Sequence, residues 1–194
     1  MKKILIINGH PNPNSYCKAM CLFYADGARE AGHSVEMLNL HELRFDPVFY
    51  GTYNSDISMS LEKDLQEAQK KIKAADHLVV VHPVWWGSVP ALLKGFFDRT
   101  LLPGFAFKYR KDNPFWDKLL GGKTASILYT SDTPNWVYRY IYGRPSVKML
   151  RDRVLGFCGI KTRLVYGIGP MRNAKPAYLE AKLNEIKMLG RRAS

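Results

Sequence analysis

The chain of 194 residues has only three cysteines, few acidic residues and no long apolar run. Cys17, Cys21 and Cys158 form an odd, sparse set that does not suggest a disulfide framework, so we expect them to pack in the core. This favours a reducing compartment, and we predict a cytoplasmic location. No apolar run approaches the roughly 20 residues that a transmembrane helix needs. The short apolar stretch before Asn8 is interpreted as a strand, because it is too short for a signal peptide.

The scarcity of acidic residues leaves a formal net charge of +12, from 29 Lys and Arg against 17 Asp and Glu. Such a charge could serve nucleic acid, a membrane surface or anionic small molecules. The basic residues are scattered along the chain, apart from Arg139 to Arg163 and Arg191-Arg192. Because no nucleic-acid motif is visible, we expect no specific nucleic-acid binding and favour the steering of a phosphorylated cofactor.

Five apolar strands are predicted to alternate with five helices in a single α/β domain covering residues 1–194. The predicted strands are Lys3–Asn8, Ser34–Leu40, His77–His82, Thr124–Thr130 and Arg163–Ile168. The predicted helices are Ser15–Ala31, Leu61–Ala75, Val89–Leu101, Ser146–Phe157 and Ala177–Leu189. Alternation of this kind indicates a parallel sheet with helices on both faces. Residues 44–60 and 103–122 are predicted to be long connections that cover the surface or contribute to a site.

The loop after the first strand lacks both the GxGxxG fingerprint and the lysine of a Walker A loop. The aliphatic strand ends in Asn8-Gly9-His10, and a Pro/Asn turn leads to Ser15, which is well placed to cap a helix. Helix N-termini carry unpaired N–H groups and a positive dipole end, so this loop predicts an anion site. A receiver domain and a small tyrosine phosphatase are disfavoured, because their acidic cluster and Cys-x5-Arg motif are missing.

Three loops leave the carboxyl ends of the predicted strands, at residues 9–15, 83–88 and 130–134, and should meet at one edge of the sheet. Trp85 and Trp86 could be core residues, but their place next to a Gly and a Pro favours ligand binding. His10 could be a general acid or base, or only a turn residue. Ser15 could cap the helix or bind a phosphate, and the sequence does not separate these roles, because both use the same end of the helix. No spacing of His and Cys predicts a metal site.

Four segments carry a resemblance to a known family: GHPNPNSYCKAM (Gly9–Met20), FDPVF (Phe45–Phe49), AADHLVVVHPVWWGSVPALLKGFFDR (Ala74–Arg99) and GFCGIK (Gly156–Lys161). On them the chain resembles the flavodoxin-like NAD(P)H:quinone reductases over nearly its whole length. That group includes small bacterial quinone and drug-activity modulator enzymes and flavoproteins that regulate potassium efflux. The resemblance implies a five-stranded parallel sheet of order 2-1-3-4-5.

The resemblance also implies a set of flavin-binding residues. The positions that match the family's phosphate loop are His10, Ser15, Tyr16 and Cys17. Those that match the segment along the isoalloxazine ring are Pro83, Val84, Trp85, Trp86 and Gly87. Thr130, Ser131, Asp132 and Thr133 match a Thr-Thr-Gly-Gly loop, with Asp132 and Thr133 in place of the glycines. Tyr138 and Tyr142 match a Tyr and a His that assist hydride transfer in mammalian enzymes, and are the predicted catalytic residues.

The function implied by the resemblance is hydride transfer from NAD(P)H through a flavin to quinones, in ping-pong order. FMN is the predicted cofactor, with FAD as the alternative, and the predicted assembly is a homodimer that shares each site between subunits. A second interpretation is a regulatory flavoprotein of a membrane potassium-efflux system, with a membrane protein as its partner. A pure electron carrier like flavodoxin is disfavoured, because those carriers are strongly acidic.

Overall fold

A computed structural model describes residues 1–51 and 61–193, so the predicted connection 44–60 is described only as far as residue 51. A five-stranded parallel sheet forms the centre of the fold. Its strands are β1 (Lys3–Asn8), β2 (Ser34–Asn39), β3 (His77–Pro83), β6 (Thr124–Thr130) and β7 (Lys161–Ile168). They lie in the order β2-β1-β3-β6-β7, which confirms the predicted order of the five strands.

Helices cover both faces of the sheet. They are α1 (Tyr16–Glu30), α2 (Lys63–Ala74), α3 (Ala91–Thr100), α4 (Pro145–Lys148), α5 (Gly156–Cys158) and α6 (Pro176–Arg192). A π-helical segment, Met149–Leu155, joins α4 to α5, so the predicted helix 146–157 is one helical stretch with a widened middle. Each face of the sheet packs against its helices through an apolar cluster. One cluster includes residues of α1 and α6, and the other includes residues of α2, α3 and the α4–α5 stretch.

The connection between α3 and β6 contains a hairpin that the sequence reading did not predict. Its antiparallel strands are β4 (Phe107–Tyr109) and β5 (Trp116–Lys118). Each strand has three residues, and so short a segment is below the length at which a period-two pattern can be recognised. The hairpin is fixed by contacts with the core: the indole N–H of Trp116 donates to the carbonyl of Phe157 at 2.9 Å, and the two rings stack.

α1 and α6 cross in direct backbone contact, because each has a glycine where the backbone of the other helix approaches. A Cβ placed on Gly27 would lie 1.9 Å from the carbonyl oxygen of Lys187, and one on Gly190 would lie 2.2 Å from that of Tyr24. The Tyr16 hydroxyl adds a bond from the first turn of α1 to the carbonyl of Leu179, at 2.6 Å. The crossing therefore fixes the position of α1, including its N-terminal end.

The loop after β2 is held by a buried guanidinium. Arg99 of α3 donates to the carbonyl of Asp46 at 2.6 Å and to the carboxylate of Glu62 at 2.8 Å. Gly95, one helical turn earlier, lets the backbone of Pro47 approach, since a Cβ there would lie 2.4 Å from the Pro47 oxygen. The FDPV stretch that helped to carry the family resemblance is therefore a structural contact with α3.

Two buried histidines of β3 should make stability depend on pH. Burial lowers the pKa of both His77 and His82 to about 4, so the unfolded chain binds more protons between about pH 6.5 and pH 4. The stabilising effect of keeping them neutral is complete above pH 6.5 and is lost as the pH falls. We expect each to reduce the free energy of unfolding by about 2 kcal/mol between pH 7 and pH 5.

Urea unfolding at the two pH values tests this expectation. The His82→Phe variant should lose about half of the pH dependence that the two histidines cause, because it removes one of them. Phenylalanine suits the site, since His82 stacks on Tyr129 in an apolar layer. His33→Gln is the comparison variant: the His33 ring lies nearer the surface, where it accepts from the N–H of Lys2, so this variant should lose less of the pH dependence than His82→Phe. An unchanged slope in His82→Phe would contradict the assignment.

Among the described residues, none of the helices combines the length and the apolar character that crossing a membrane would require.

Candidate functional site

The loop after β1 is built from successive side-chain caps that lead into α1. The Oδ1 atom of Asn8 accepts from the N–H of His10 at 3.2 Å, the Nδ1 atom of His10 accepts from the N–H of Asn12 at 3.0 Å, and Oδ1 of Asn12 accepts from the N–H of Asn14 at 2.8 Å. Ser15 is the N-cap of α1, and its Oγ accepts from the N–H of Lys18. The predicted cap is therefore present.

This arrangement leaves hydrogen-bond donors free at the start of α1. Within the described residues, the N–H groups of Tyr16 and Cys17 have no acceptor. His10 supplies another donor: because Nδ1 accepts from Asn12, the neutral ring carries its proton on Nε2. Burial, followed by the charge of nearby His41, lowers the pKa of His10, so it is neutral at pH 7. The first turn of α1 contains no acidic residue, which suits an anion.

The loop after β3 makes a tight two-residue turn. Trp85 and Ser88 exchange backbone hydrogen bonds at 3.0 and 2.9 Å, and both central residues, Trp86 and Gly87, have positive φ. Such turns usually place Asn or Gly at the first central position, so a tryptophan there is unusual. The turn separates the two indoles: Trp85 packs edge-on against His10 at 5.5 Å, whereas Trp86 is fully exposed.

The loop after β6 is fixed by the chain that follows β7. The N–H of Met171 donates to the carbonyl of Ser131 at 3.0 Å, and that of Arg172 donates to Oδ1 of Asp132 at 2.9 Å. Gly169 has no room for a side chain, since a Cβ would lie 2.7 Å from the Ser131 oxygen. Asp132, which replaces a glycine of the family pattern, therefore anchors this loop through its side chain.

These loops meet in one pocket at the carboxyl edge of the sheet, as predicted. Its lining contains the predicted residues His10, Tyr16, Cys17, Pro83, Val84, Trp85, Thr130, Ser131 and Asp132, together with Met171. The register of β3 and β6 pairs Pro83 with Thr130, and the Val84 N–H donates to the Thr130 carbonyl at 2.7 Å. Met171 was not predicted. Only the predicted strand order could have indicated Met171: β7 lies beside β6, so the chain that follows β7 must border the same edge of the sheet.

The remaining predicted site residues do not line this pocket: Ser15, Trp86, Gly87, Thr133, Tyr138 and Tyr142. Ser15 lies at its border as the cap of α1, and the Thr133 N–H donates to Oγ of Ser131. Tyr138 is 1% exposed, its hydroxyl is 2.6 Å from the Ser146 hydroxyl, and its ring contacts Tyr129. Its position is that of a core residue linking the loop to α4, and its catalytic role stays a prediction.

Tyr142 belongs to a group of exposed side chains that we call the aromatic rim: Trp86, Trp136, Tyr140, Ile141 and Tyr142. The last four come from or border a π-helical turn, Val137–Ile141. The two loops adjoin, since a Cβ on Gly87 would lie 3.4 Å from the ring of Pro145. The rim therefore presents an exposed apolar surface that adjoins the turn after β3.

The cysteines are packing residues here. All three are buried, and burial raises the pKa of Cys17 and of Cys158 to about 12. The Sγ atom of Cys17 lies 3.6 Å from the Thr130 hydroxyl and links α1 to β6. A thiol held protonated in this way is not a nucleophile at neutral pH.

The donors and surfaces of the pocket fit a flavin mononucleotide-like molecule. Helix N–H groups and the His10 N–H suit a phosphate, and the partly exposed face of Trp85 suits a flat ring. The predicted phosphate loop and the predicted ring loop thus border one pocket. From the sequence, only the order of the strands indicated that these two loops lie together.

Comparison with known proteins identifies the family and the fold. Residues 2–189 match the sequence model of a family described as having a flavodoxin-like fold. Ribosyldihydronicotinamide dehydrogenase (quinone) of Pongo abelii is 33% identical over 189 residues, covering 82% of this chain and 78% of its own.

Solved structures show the same fold. NAD(P)H:quinone oxidoreductase from Methanothermobacter marburgensis superposes with a TM-score of 0.81 at 25% identity, covering 100% of this chain and 99% of its own. An FMN-dependent NADH-azoreductase from Bacillus anthracis, in complex with FMN, gives 0.78 at 19% identity, with 99% of each chain covered. The chain belongs to the flavodoxin-like NAD(P)H:quinone oxidoreductase family.

Proposed function

We propose that this protein is an FMN-dependent NAD(P)H oxidoreductase that reduces quinones or similar acceptors. The observation that carries the proposal is the single pocket in which the free donors of α1 and the face of Trp85 meet. Bound FMN would supply the redox chemistry, taking a hydride from NAD(P)H and passing two electrons to the acceptor in ping-pong order. The names of the relatives support the donor and the acceptor class, and the azoreductase of the same fold binds FMN.

The residues of the chain would bind and orient the cofactor. The N–H groups of Tyr16 and Cys17 and the Nε2–H of His10 would hold the phosphate, while Trp85 would flank the ring. The loop from Thr130 to Thr133, held by the chain after β7, would contact the other edge of the ring. Because the protein carries a net charge of +12, it would also attract the phosphates of NADPH or NADH.

Stopped-flow measurement of two separate half-reactions tests the proposal. NADH or NADPH alone should bleach the flavin absorbance of the loaded protein, and a quinone added afterwards, with no nicotinamide present, should restore it. Initial rates should give parallel lines in a double-reciprocal plot. A flavin that quinones fail to reoxidise would contradict the proposed activity.

Trp85 is expected to contribute more to FMN binding than an equally large exposed tryptophan does. The Trp85→Ala variant should bind FMN about tenfold more weakly, because stacking on an aromatic ring stabilises by roughly 1–3 kcal/mol. Trp136→Ala is the control, since Trp136 is 62% exposed and does not line the pocket. Quenching of flavin fluorescence on titration gives both dissociation constants. Equal weakening in the two variants would contradict this placement of the ring.

We further propose a homodimer in which a second copy covers part of the aromatic rim. The support is the apolar surface itself, since Tyr140, Ile141 and Tyr142 are each more than half exposed in the segment that adjoins the turn after β3. A partner there would supply the missing wall for the nicotinamide and the quinone. Tyr142 stays the candidate for a hydrogen bond to the acceptor. Light scattering should give twice the mass of one chain, and a monomer at micromolar concentration would contradict the assembly.

Regulation of a membrane potassium-efflux system is the second proposal, and a cytoplasmic location stays a prediction. Its support is the exposed basic side chains on the α4–α5 stretch, Lys148 and Arg153 among them, which could meet an acidic face of a membrane protein. Co-purification with such a protein in low salt, lost in high salt, would favour this role. Fast quinone turnover without any associated membrane protein would count against it.

A further inference from the structure

One of the side chains that line the pocket is a carboxylate, although the protein as a whole is basic. The lining residues with titratable side chains are His10, Tyr16, Cys17 and Asp132. Burial raises the pKa of both Tyr16 and Cys17 to about 12, and burial and then His41 lower the pKa of His10. Those three groups are neutral, so Asp132 supplies the charge that the lining itself carries.

The Asp132 carboxylate is held in place and is not neutralised by a basic side chain. Its Oδ1 atom accepts from the backbone N–H of Arg172 at 2.9 Å. Among residues 1–51 and 61–193, no Lys or Arg side chain forms an ion pair with it. The side chain lies near the surface, but a flat ligand in the pocket would exclude water from one side of it.

This negative charge distinguishes two states of the proposed cofactor. A hydride carries two electrons and one proton, so its transfer from the dihydronicotinamide leaves the flavin with one negative charge more and the nicotinamide with one positive charge more. The oxidised ring is neutral and interacts weakly with a carboxylate, whereas the reduced ring is repelled by it.

Resting on the proposed function, we infer that Asp132 weakens the binding of reduced FMN relative to oxidised FMN and so lowers the reduction potential of the bound cofactor. A lower potential makes the reduced protein a stronger reductant. It therefore extends the range of acceptors toward quinones and other compounds that are hard to reduce. Asp132 would act as a specificity-determining residue through charge, without taking part in proton or hydride transfer.

The Asp132→Asn variant isolates the charge, because asparagine keeps the Oδ1 acceptor for Arg172 and the same shape. Affinity for oxidised FMN should change less than threefold, while reduced FMN should bind about tenfold more tightly. By linkage the midpoint potential should rise by about 30 mV, the value for a tenfold change in a two-electron couple. The potential is measured at low ionic strength with reference dyes, since salt screens an exposed charge.

Two further variants separate charge from loop structure. Asp26→Asn removes an exposed carboxylate of α1, paired with Arg29 at 3.7 Å, and should leave the potential unchanged. Asp132→Ala removes the charge and the loop anchor together, so it should raise the potential similarly but weaken both forms of FMN.

The outcomes distinguish this inference from the proposed function. Wild-type protein that binds FMN, with a potential that Asp132→Asn leaves unchanged, would overturn the inference alone. Equal shifts in Asp132→Asn and Asp26→Asn would also overturn it, because the effect would then belong to net charge. Wild-type protein that binds neither FMN nor FAD would overturn the proposed function and the inference with it.

Discussion

Replacing Ser15 with aspartate is expected to weaken FMN binding roughly a hundredfold without destabilising the fold. Aspartate is as good an N-cap as serine and interacts favourably with the helix dipole, so the melting temperature should stay the same or rise. A phosphate bound at the N–H groups of Tyr16 and Cys17 would lie a few ångströms from the new carboxylate. Two negative charges facing one across about 4 Å cost roughly 2 kcal/mol in water and roughly 8 kcal/mol at the effective dielectric constant of a protein surface, so a cost of about 3 kcal/mol is expected at this partly exposed helix end.

The opposite directions of the two effects make the Ser15 variant informative. Ser15→Ala should do the reverse: it removes the bond that Oγ accepts from the Lys18 N–H, which costs about 1 kcal/mol of stability, but it adds no repulsion. Ser34→Asp places the same charge at the exposed start of β2, the other edge of the sheet, and should leave FMN affinity within a factor of two. Titration with FMN and thermal unfolding of the apoprotein measure both quantities. Unchanged affinity in Ser15→Asp would show that α1 does not hold the phosphate.

The Gly27→Ala variant should lose about 3 kcal/mol or more of stability, a large part of the 5–15 kcal/mol typical of a folded protein. In an isolated helix the same change would stabilise by about 1 kcal/mol, because alanine is the better helix former. Here the new Cβ would lie 1.9 Å from the Lys187 carbonyl oxygen. That atom belongs to the backbone of α6, so relief requires the two helices to separate.

Gly121→Ala is the matched control for this prediction. A Cβ on Gly121 would meet its nearest neighbour, the Lys118 oxygen, at an ordinary 3.5 Å, so the change should be within about 0.5 kcal/mol. Urea unfolding of the apoprotein measures both variants. If Gly27→Ala were as stable as wild type, α1 and α6 would not be in direct backbone contact. Because α1 also carries the phosphate donors, the Gly27 variant should bind FMN more weakly as well.

Strand order and the position of the site were predictable because both depend on strong local patterns. The continuously apolar Leu78–Val81 stretch had to be a central strand, and β3 is buried along its whole length. Once β1, β3 and β6 were neighbours, the loops after them had to meet. Ser15 was predictable as a cap from residue type alone, and the structure confirms it.

The directions of individual side chains were not predictable in the same way. Trp85 and Trp86 are equivalent in the sequence. In the structure Trp86 has a positive φ and extends into solvent, whereas Trp85 contacts His10. Tyr138 matched a family position by spacing, whereas the structure places it in a π-helical turn with its hydroxyl beside that of Ser146. Met171 carries no local signal at all, since it reaches the pocket only through the bond of its N–H to Ser131.

Identification of the cofactor tests the central claim most directly. Protein purified without added flavin should absorb in the visible blue, and heat or acid should release a molecule with the mass of FMN, close to one per chain. Reconstituted apoprotein should regain the same spectrum with FMN. A colourless protein that binds neither FMN nor FAD on titration would contradict the account.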